Sequence, residues 1–387
     1  MTRPIVELTK EIQSALVERD EPVLGTSAAL LSKQHVVLLG PPGTAKSKQL
    51  LMLVRHLKGA RIFERLLFET TPTEEVLGPL SLKALKNDEY RRVTTGRIQT
   101  ADIAYLEEVF NANDPILHAL MRLINERLYE EGDRVVPVPL QSVVAATNVI
   151  PTKPGLMAVY DRFLLRFRVP DIQDNDSFLR MLKMPDPESL VKQDLTLDEL
   201  HEAQKETAAL EVTDDVYTGL VQIRAALRSN GIEPSPRRFK QAVGVLKAYA
   251  YLGGRDVVGM DDLSATRYML WTTPEQEAKV AQEVLRVASP MLGRVEDIHD
   301  DVMRHFAEAQ SAAAKDEGKG KKAQIFVEWL ARTKTQVDEV ADLIAQMKRE
   351  GRDPTRAEQL LKAIETKRQA EIQGNLGNFM SKSVKKG

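Results

Sequence analysis

Short apolar runs alternate with helix-like stretches over the first 170 residues of the chain. The predicted strands cover residues 35–39, 61–69, 103–106, 140–146 and 164–169. Residues 5–19, 27–31, 47–58 and 115–128 have the spacing or composition of helices. Short continuous apolar runs are typical of strands that are buried on both faces of a sheet. The alternation therefore predicts an α/β fold with a doubly wound, five-stranded parallel sheet.

The pattern changes after Asp171, where strand-like runs disappear and helical spacing continues to about residue 288. Residues 311–323 are polar and of low complexity, as in a linker. A coiled-coil-like seam then repeats in steps of four and three through Phe326, Leu330, Thr333, Val337, Val340, Ile344 and Met347. Gly351 predicts the end of this helix and Asp353-Pro354 the start of another, which together form a helical hairpin.

These patterns divide the chain into three predicted parts. Residues 1–171 form the α/β part, residues 172–290 an all-helical domain, and residues 291–387 a helical extension with the linker and the hairpin.

Composition narrows the class of protein. The formal net charge is -2, so no global positive field points to nucleic acid or to anionic lipid. There is no cysteine, which fits a protein that needs no disulfides. Residues 1–10 are charged and lack the apolar stretch of a signal peptide, and no run approaches the ~18 apolar residues of a membrane helix. We therefore expect a cytoplasmic protein without membrane insertion.

A glycine-rich loop joins the first predicted strand to the next helix. It reads Gly40-Pro41-Pro42-Gly43-Thr44-Ala45-Lys46-Ser47. Glycines let the backbone wrap around a triphosphate, Lys46 would reach the outer phosphates, and Ser47 would give its hydroxyl to magnesium. Ala45 stands where the motif has its second glycine, and a right-handed backbone would accept its methyl group. A turn with a chance lysine is the weaker alternative, because a strand precedes the loop and a helix follows it.

Two acids follow the strand at 103–106. Glu107 and Glu108 would lie at the carboxyl edge of the sheet, where ligands bind in such folds. Glu107 would hold magnesium through water, although aspartate is usual at this position. Glu108 would polarise the water that attacks the terminal phosphate. Two solvated acids at a helix start are the alternative, and the phosphate loop nearby makes it the weaker one.

Asn148 ends the next predicted strand. Its amide can contact the γ-phosphate or orient the water there, and a turn residue before Pro151 is a fair alternative.

Arginines near the end of the α/β part and in the helical domain are further candidates. Arg162 can reach a neighbouring subunit's phosphate as an arginine finger, but Arg166 and Arg168 lie close by and leave the assignment open. A solvated helical arginine is the alternative for Arg162. Arg237 falls in the first turn of a predicted helix, where a positive charge opposes the helix dipole. That conflict suggests a ligand such as phosphate.

The ordered set of motifs resembles that of MoxR-type AAA+ ATPases, and of their RavA-like branch in particular, over about residues 5–290. The motifs that carry the resemblance are residues 40–47, 72–79, 103–108, 120–127, 145–148, 160–163 and 235–237. The resemblance implies that Lys46 and Ser47 belong to Walker A, Glu107 and Glu108 to Walker B, Asn148 to sensor 1, Arg162 to the finger and Arg237 to sensor 2.

The resemblance also implies the remaining features of the site and its partners. It places Val23 in the adenine pocket, a hairpin insert near residues 78–100 and a second hairpin at residues 129–139. It implies a hexameric ring that hydrolyses ATP with Mg²⁺ and remodels or assembles a protein partner, as a chaperone does. Family members often act with a partner that carries a von Willebrand A domain. Ala45 fits the RavA-like branch, whereas Glu107 departs from the family's usual aspartate.

Two other functions compete with a remodelling ATPase. Glu107 motivates a nucleotide-gated assembly scaffold that hydrolyses ATP weakly. A DNA-directed AAA+ motor has thin support in Tyr90, Arg91 and Arg92, and the near-neutral net charge argues against nucleic acid.

Overall fold

The structure is a computed structural model that describes residues 3–131, 134–151, 154–172, 174–315, 319–350, 352 and 354–383. The strands are β1 (Val36–Leu39), β2 (Leu57–Lys58), β3 (Ile62–Leu66), β4 (Ile103–Glu107), β5 (Leu128–Glu131), β6 (Arg134–Pro137), β7 (Ser142–Thr147), β8 (Leu165–Arg168), β9 (Leu195–Thr196), β10 (Glu211–Val212) and β11 (Val257–Val258).

The helices are α1 (Pro4–Ala15), α2 (Asp20–Leu31), α3 (Lys46–Arg55), α4 (Thr73–Leu77), α5 (Leu82–Leu85), α6 (Asp114–Glu126), α7 (Pro154–Tyr160), α8 (Asn175–Lys183), α9 (Leu197–Ala209), α10 (Asp214–Ser229), α11 (Pro236–Leu252), α12 (Pro274–Ala288), α13 (Pro290–Lys315), α14 (Lys319–Arg349) and α15 (Thr355–Ser383). Short 3-10 helices cover Ile98–Thr100, Val109–Asn111, Pro187–Leu190 and Met260–Tyr268.

Five parallel strands form the central sheet in the order β3-β4-β7-β1-β8. Every residue of β1 and of β7 is buried, as the continuous apolar runs predicted. The register pairs Leu39 with Thr147 and Glu107 with Ala146, so β1, β4 and β7 end at the same edge. The structure thus confirms the five-stranded parallel sheet and brings the phosphate loop, the acidic pair and Asn148 to one place.

Helix α2 is longer than the sequence predicted, since it begins at Asp20 and not near Ser27. It packs against β1, β8, α9 and α11, and most of its residues are buried. A helix that is buried on several sides has apolar residues all around it, so it lacks the amphipathic period by which a helix is predicted from sequence. Gly25 lies inside the helix. The position requires glycine because a Cβ there would come within 2.0 Å of the Phe167 ring on β8.

Two small elements interrupt the α/β part. Strands β5 and β6 pair antiparallel within the hairpin predicted at residues 129–139. The insert predicted at 78–100 contains α5 and a single antiparallel bridge between Leu80 and Arg92. The Arg92 backbone N–H donates to the Glu131 carboxylate at 3.0 Å, which joins the insert to the hairpin.

The chain divides into two compact units, Met1–Ala281 and Gln282–Gly387. The first unit contains the sheet and also residues 195–281, with β9 and helices α9, α10 and α11, which we call the lid. The lid packs on the α/β part through α9 and α11 against α2, and β9 pairs with β2. The predicted boundaries at residues 171 and 290 remain predictions.

In the second unit, α13, α14 and α15 pack against one another. Its buried core includes Val302, Phe306, Trp329, Val340, Ile344 and Ile364. The predicted seam lies on α14, where it faces α13 as well as α15. Much of the predicted linker lies in the ends of α13 and α14. Residues 316–318, Gly351 and Asp353 lie outside the described residues.

In the described ranges, none of the helices is both long and apolar enough to span a bilayer.

Candidate functional site

The phosphate loop leaves β1 in a conformation that depends on small residues. The Gly40 N–H donates to the Thr147 carbonyl at 3.2 Å, and a Cβ on Gly40 would lie 2.2 Å from the Val169 carbonyl oxygen. Gly43 has φ +86°, a conformation that L-residues rarely adopt. Ala45 has φ 62° and ψ 22°, so the right-handed backbone expected for it was wrong. The loop therefore places an alanine where glycine is favoured.

Lys46 begins α3 and folds back over the loop. Its ammonium donates to the carbonyls of Gly40 and Pro41 at 2.6 Å each, and to Asn148 Oδ1 at 3.0 Å. Burial lowers the pKa of Lys46, while the carboxylates of Glu108 and Glu107 oppose that shift. A partly desolvated cation beside loop N–H groups is suited to hold an anion.

Ser47 and Glu107 lie next to each other. The Ser47 hydroxyl donates to Glu107 Oε1, which joins the first turn of α3 to the end of β4. Glu107 also lines a cleft of about 730 Å³ together with Tyr105, Glu64 and Thr71. A hydroxyl and a carboxylate side by side are oxygen donors of the kind that Mg²⁺ takes, along with substrate phosphates.

Glu108 follows with a left-handed backbone, φ 53° and ψ 41°. Its Oε1 accepts from Asn148 Nδ2 at 2.6 Å, and its Oε2 lies 3.4 Å from the Asn148 backbone N. The Thr147 hydroxyl and the Asn111 amide each lie 3.5 Å from the same oxygen. A strained backbone and converging donors fix the direction of this carboxylate, as is common at reactive sites.

The sequence left three arginines open as the finger, and burial excludes one of them. The Arg166 side chain is 0% exposed and donates to the carbonyls of Phe163 and Trp271, so it cannot reach another subunit. The Arg168 side chain is 57% exposed and pairs with Glu277 at 3.2 Å. The Arg162 side chain is 22% exposed and lies 4.0 Å from Asp161.

Arg237 lies in the first turn of α11 and donates to Asn125 Oδ1 at the end of α6, at 2.6 Å. Partial burial, and then the positive charge of Arg162, lower the pKa of Arg237. Arg162 and Arg237 are therefore neighbours. Among the residues that the structure describes, no hydrogen bond or ion pair joins them to Lys46, Ser47 or the acidic pair.

Val23 lies inside α2 and is 2% exposed. Arg19, at the start of the same helix, donates from Nε to the Thr44 carbonyl at 3.2 Å and from Nη2 to the Pro170 carbonyl at 2.8 Å. Arg19 thus ties α2 to the phosphate loop. Sequence reasoning missed it because an arginine before an acidic helix start has no distinctive spacing.

Asp161, Arg238 and Arg127 were also missed. Arg238 and Asp161 pair at 3.0 Å, and they are the chain neighbours of Arg237 and Arg162. Arg127 is the C-cap residue of α6, with φ 56°, and its side chain donates to the carbonyls of Lys33 and Gln141. Asp161 and Arg127 stood inside motifs that the sequence had singled out, and this was the signal that could have found them.

The donor set fits a nucleoside triphosphate with Mg²⁺. Gly40 leaves no room for a side chain, Gly43 turns the backbone, and Lys46 supplies the positive charge. Ser47 and Glu107 supply neutral and anionic oxygens for the cation.

Two family models match successive parts of the chain. A model of the MoxR domain in MoxR–vWA–β-propeller ternary systems matches residues 3–203. A model of an AAA lid domain matches residues 215–285.

Individual proteins also resemble the chain over most of its length. An uncharacterised protein of Methanocaldococcus jannaschii is 36% identical over 288 residues, which cover 74% of this chain and 76% of that protein. The chaperone MoxR1 of Mycobacterium tuberculosis is 25% identical over 273 residues, 65% of this chain and 70% of that protein. The crystal structure of a candidate ATPase from Cytophaga hutchinsonii matches with a TM-score of 0.58 and 18% identity, over 73% of this chain and 94% of that one. This last match shows similarity of fold.

Proposed function

The chain belongs to the MoxR family of AAA+ ATPases, and from this premise we propose that it couples ATP binding and hydrolysis to the remodelling or assembly of a protein partner. The observation that carries the proposal is the convergence of Lys46, Ser47, Glu107, Glu108 and Asn148 at one edge of the sheet. The RavA-like branch is part of the same proposal and rests on the motifs alone.

In this proposal each residue of the site has one task. Lys46 would replace its hydrogen bonds to the loop carbonyls by bonds to the outer phosphates. The loop N–H groups would bind the rest of the triphosphate. Ser47, and Glu107 through water, would hold Mg²⁺, which when bound would supply positive charge beside the phosphates. Glu108 accepts the proton of the attacking water. Asn148 contacts both Glu108 and the γ-phosphate, and so fixes the position of one relative to the other. Val23 borders the adenine.

Arg162 and Arg237 act on the neighbouring subunit in our proposal. They lie near each other, and neither makes a described hydrogen bond or ion pair with Glu107 or Glu108, as action in trans requires. A heterologous contact that repeats closes a ring, and a hexamer is the ring size we propose. A finger of this kind contributes roughly 10³–10⁵ in rate.

We further propose that the partner carries a von Willebrand A domain, and that the ring acts in the cytoplasm as a chaperone does. The matching family model describes ternary systems of a MoxR domain, a von Willebrand A domain and a β-propeller, which supports a partner with a von Willebrand A domain. The Glu108→Gln variant should retain such a partner in ATP, because it holds the triphosphate state. Equal retention in ATP and ADP would contradict nucleotide control.

Mixed rings test the trans arrangement. Arg162→Ala subunits keep intact sites but supply no finger, whereas Glu108→Gln subunits supply fingers but do not hydrolyse. Each variant alone should be inactive, and a mixture should recover activity. A mixture that stays inactive, although mass measurements show mixed rings, would contradict action in trans.

The nucleotide-gated scaffold remains the second candidate, because Glu107 departs from aspartate and bonds directly to Ser47. It predicts tight ATP binding with no turnover at any protein concentration. The DNA motor predicts salt-dependent binding of DNA, and a lack of such binding would exclude it.

A further inference from the structure

One carboxylate, Asp161, faces four arginines where the lid meets the α/β part. Its Oδ1 lies 3.0 Å from Arg238 Nη1 and 3.6 Å from Arg166 Nη2, and its Oδ2 lies 4.0 Å from Arg162 Nη1. The negative charge of Asp161 also acts on Arg237. One acid thus offsets the charge of two buried arginines, of the candidate finger Arg162 and of the sensor-2 candidate Arg237.

The two buried arginines cross-link the lid and the α/β part in opposite directions. Arg166, on β8, donates to the Trp271 carbonyl of the lid and stacks 4.1 Å above the Tyr160 ring. Arg238, on the lid helix α11, donates to the Leu164 carbonyl at 2.8 Å and to the Asp161 carbonyl at 3.1 Å. Burial lowers the pKa of Arg166 to about 9, so it is still charged at neutral pH. Buried charges of this kind need a counter-ion.

The partly buried Arg162 and the exposed Arg237 are the chain neighbours of these fixed residues. Arg162 directly follows Asp161, and Arg237 directly precedes Arg238. Their like charges repel, since Arg162 lowers the pKa of Arg237. The buried network therefore fixes the backbone beside each of them, and Arg237 also donates to Asn125 Oδ1 at 2.6 Å. Asp161 is the only acidic side chain in the ion pairs described for these four arginines.

We infer that Asp161 is a positioning residue, which holds Arg162 and Arg237 together as a pair that engages the nucleotide of the neighbouring subunit. The inference rests on the proposed function, because it presumes a finger that acts in trans. It also links the finger to the lid. A lid that shifts takes Arg238 and Arg237 with it, and so changes the pair that is offered to the next subunit.

Asp161→Asn is the sharpest variant. Asparagine has almost the same shape and keeps an oxygen for Arg238, but it removes the charge that offsets Arg162 and Arg237. ATP binding at the variant's own site should not change, since Lys46 and Ser47 make no described contact with Asp161. Turnover at the neighbouring site should fall by roughly 10- to 100-fold, as for a catalytic group displaced by about 1 Å.

The measurement uses mixed rings of the full chain. Glu108→Gln subunits, with or without Asp161→Asn, serve as donors of the finger and are mixed with Arg162→Ala subunits, which serve as acceptors. ATP hydrolysis is measured at equal total concentration of assembled protein. Both donors have inactive sites of their own, so the recovered activity reports on the donated finger alone. We expect donors with Asp161→Asn to restore at least tenfold less activity. Equal restoration would overturn the inference and leave the trans finger intact. No restoration by unmodified donors would instead contradict the proposed function.

Two further donors separate positioning from general stability. Asp102 is a buried acid that pairs with Arg61 at 2.8 Å, at the other end of β4 from Glu107. Asp102→Asn should lower the melting temperature but restore full activity. Asp161→Glu keeps the charge and should restore at least half of the activity. If Asp102→Asn donors fail as Asp161→Asn donors do, or if Asp161→Glu rescues nothing, the inference is wrong.

Discussion

Replacing Ala45 by glycine tests the backbone of the phosphate loop. Ala45 has φ 62° and ψ 22°, and this left-handed conformation costs an L-residue roughly 1–2 kcal/mol. Glycine removes that strain, but it makes the unfolded chain more flexible, which offsets roughly 0.4–1 kcal/mol of the gain. The free energy of unfolding of Ala45→Gly should therefore rise by roughly 0.5–1 kcal/mol. For a unit of this size, the melting temperature should rise by roughly 1–4 °C.

Thermal melting without nucleotide measures this change, and two variants calibrate it. Ala225 lies exposed within helix α10, so Ala225→Gly should lose about 1 kcal/mol of stability. Gly43 has φ +86° and open space around its Cβ position, so Gly43→Ala should also destabilise. If Ala45→Gly lowers the melting temperature as Ala225→Gly does, Ala45 is not left-handed and our description of the loop is wrong.

Three further variants test the site and the fold. Glu108→Gln should lower the rate of ATP hydrolysis by at least 10²-fold, because the group that accepts the proton of water is lost. The affinity for a fluorescent ATP analogue should stay within threefold, because the phosphate loop is intact. A parallel loss of affinity would count against Glu108 as the proton acceptor. Ser47→Ala should raise the Mg²⁺ concentration for half-maximal activity by roughly tenfold or more, which a titration shows; an unchanged midpoint would exclude Ser47 as a ligand. Burial lowers the pKa of His35 to about 3, so only the unfolded state takes up a proton between pH 6.5 and 3. Stability should fall by up to roughly 4–5 kcal/mol as the pH drops through that range, and less in His35→Gln.

The sheet could be predicted because its signal is local. Strands buried on both faces read as continuous apolar runs, and β1, β4 and β7 were found within two residues at each end. Their parallel order then brought Gly40, Glu108 and Asn148 to one edge, which the pairing of Glu107 with Ala146 bears out. The doubly wound arrangement and the C-terminal hairpin stay predictions.

The remaining features depend on contacts between distant parts of the chain. Helix α2 has no amphipathic period because it is covered on several sides. The conformation of Ala45 depends on the whole loop. Arg166 could be set aside as the finger only once its bond to the Trp271 carbonyl, 105 positions away, was seen. The proximity of Arg162 to Arg237 likewise required the lid to fold onto the α/β part.

Steady-state ATP hydrolysis with Mg²⁺ over a range of protein concentrations tests the central claim most directly. The wild type, Lys46→Ala and Arg162→Ala are compared at equal subunit concentration. We predict that the specific activity of the wild type rises with concentration as rings assemble, and that both variants lose activity at every concentration. Activity that does not depend on concentration and survives Arg162→Ala would contradict a ring ATPase whose finger acts in trans.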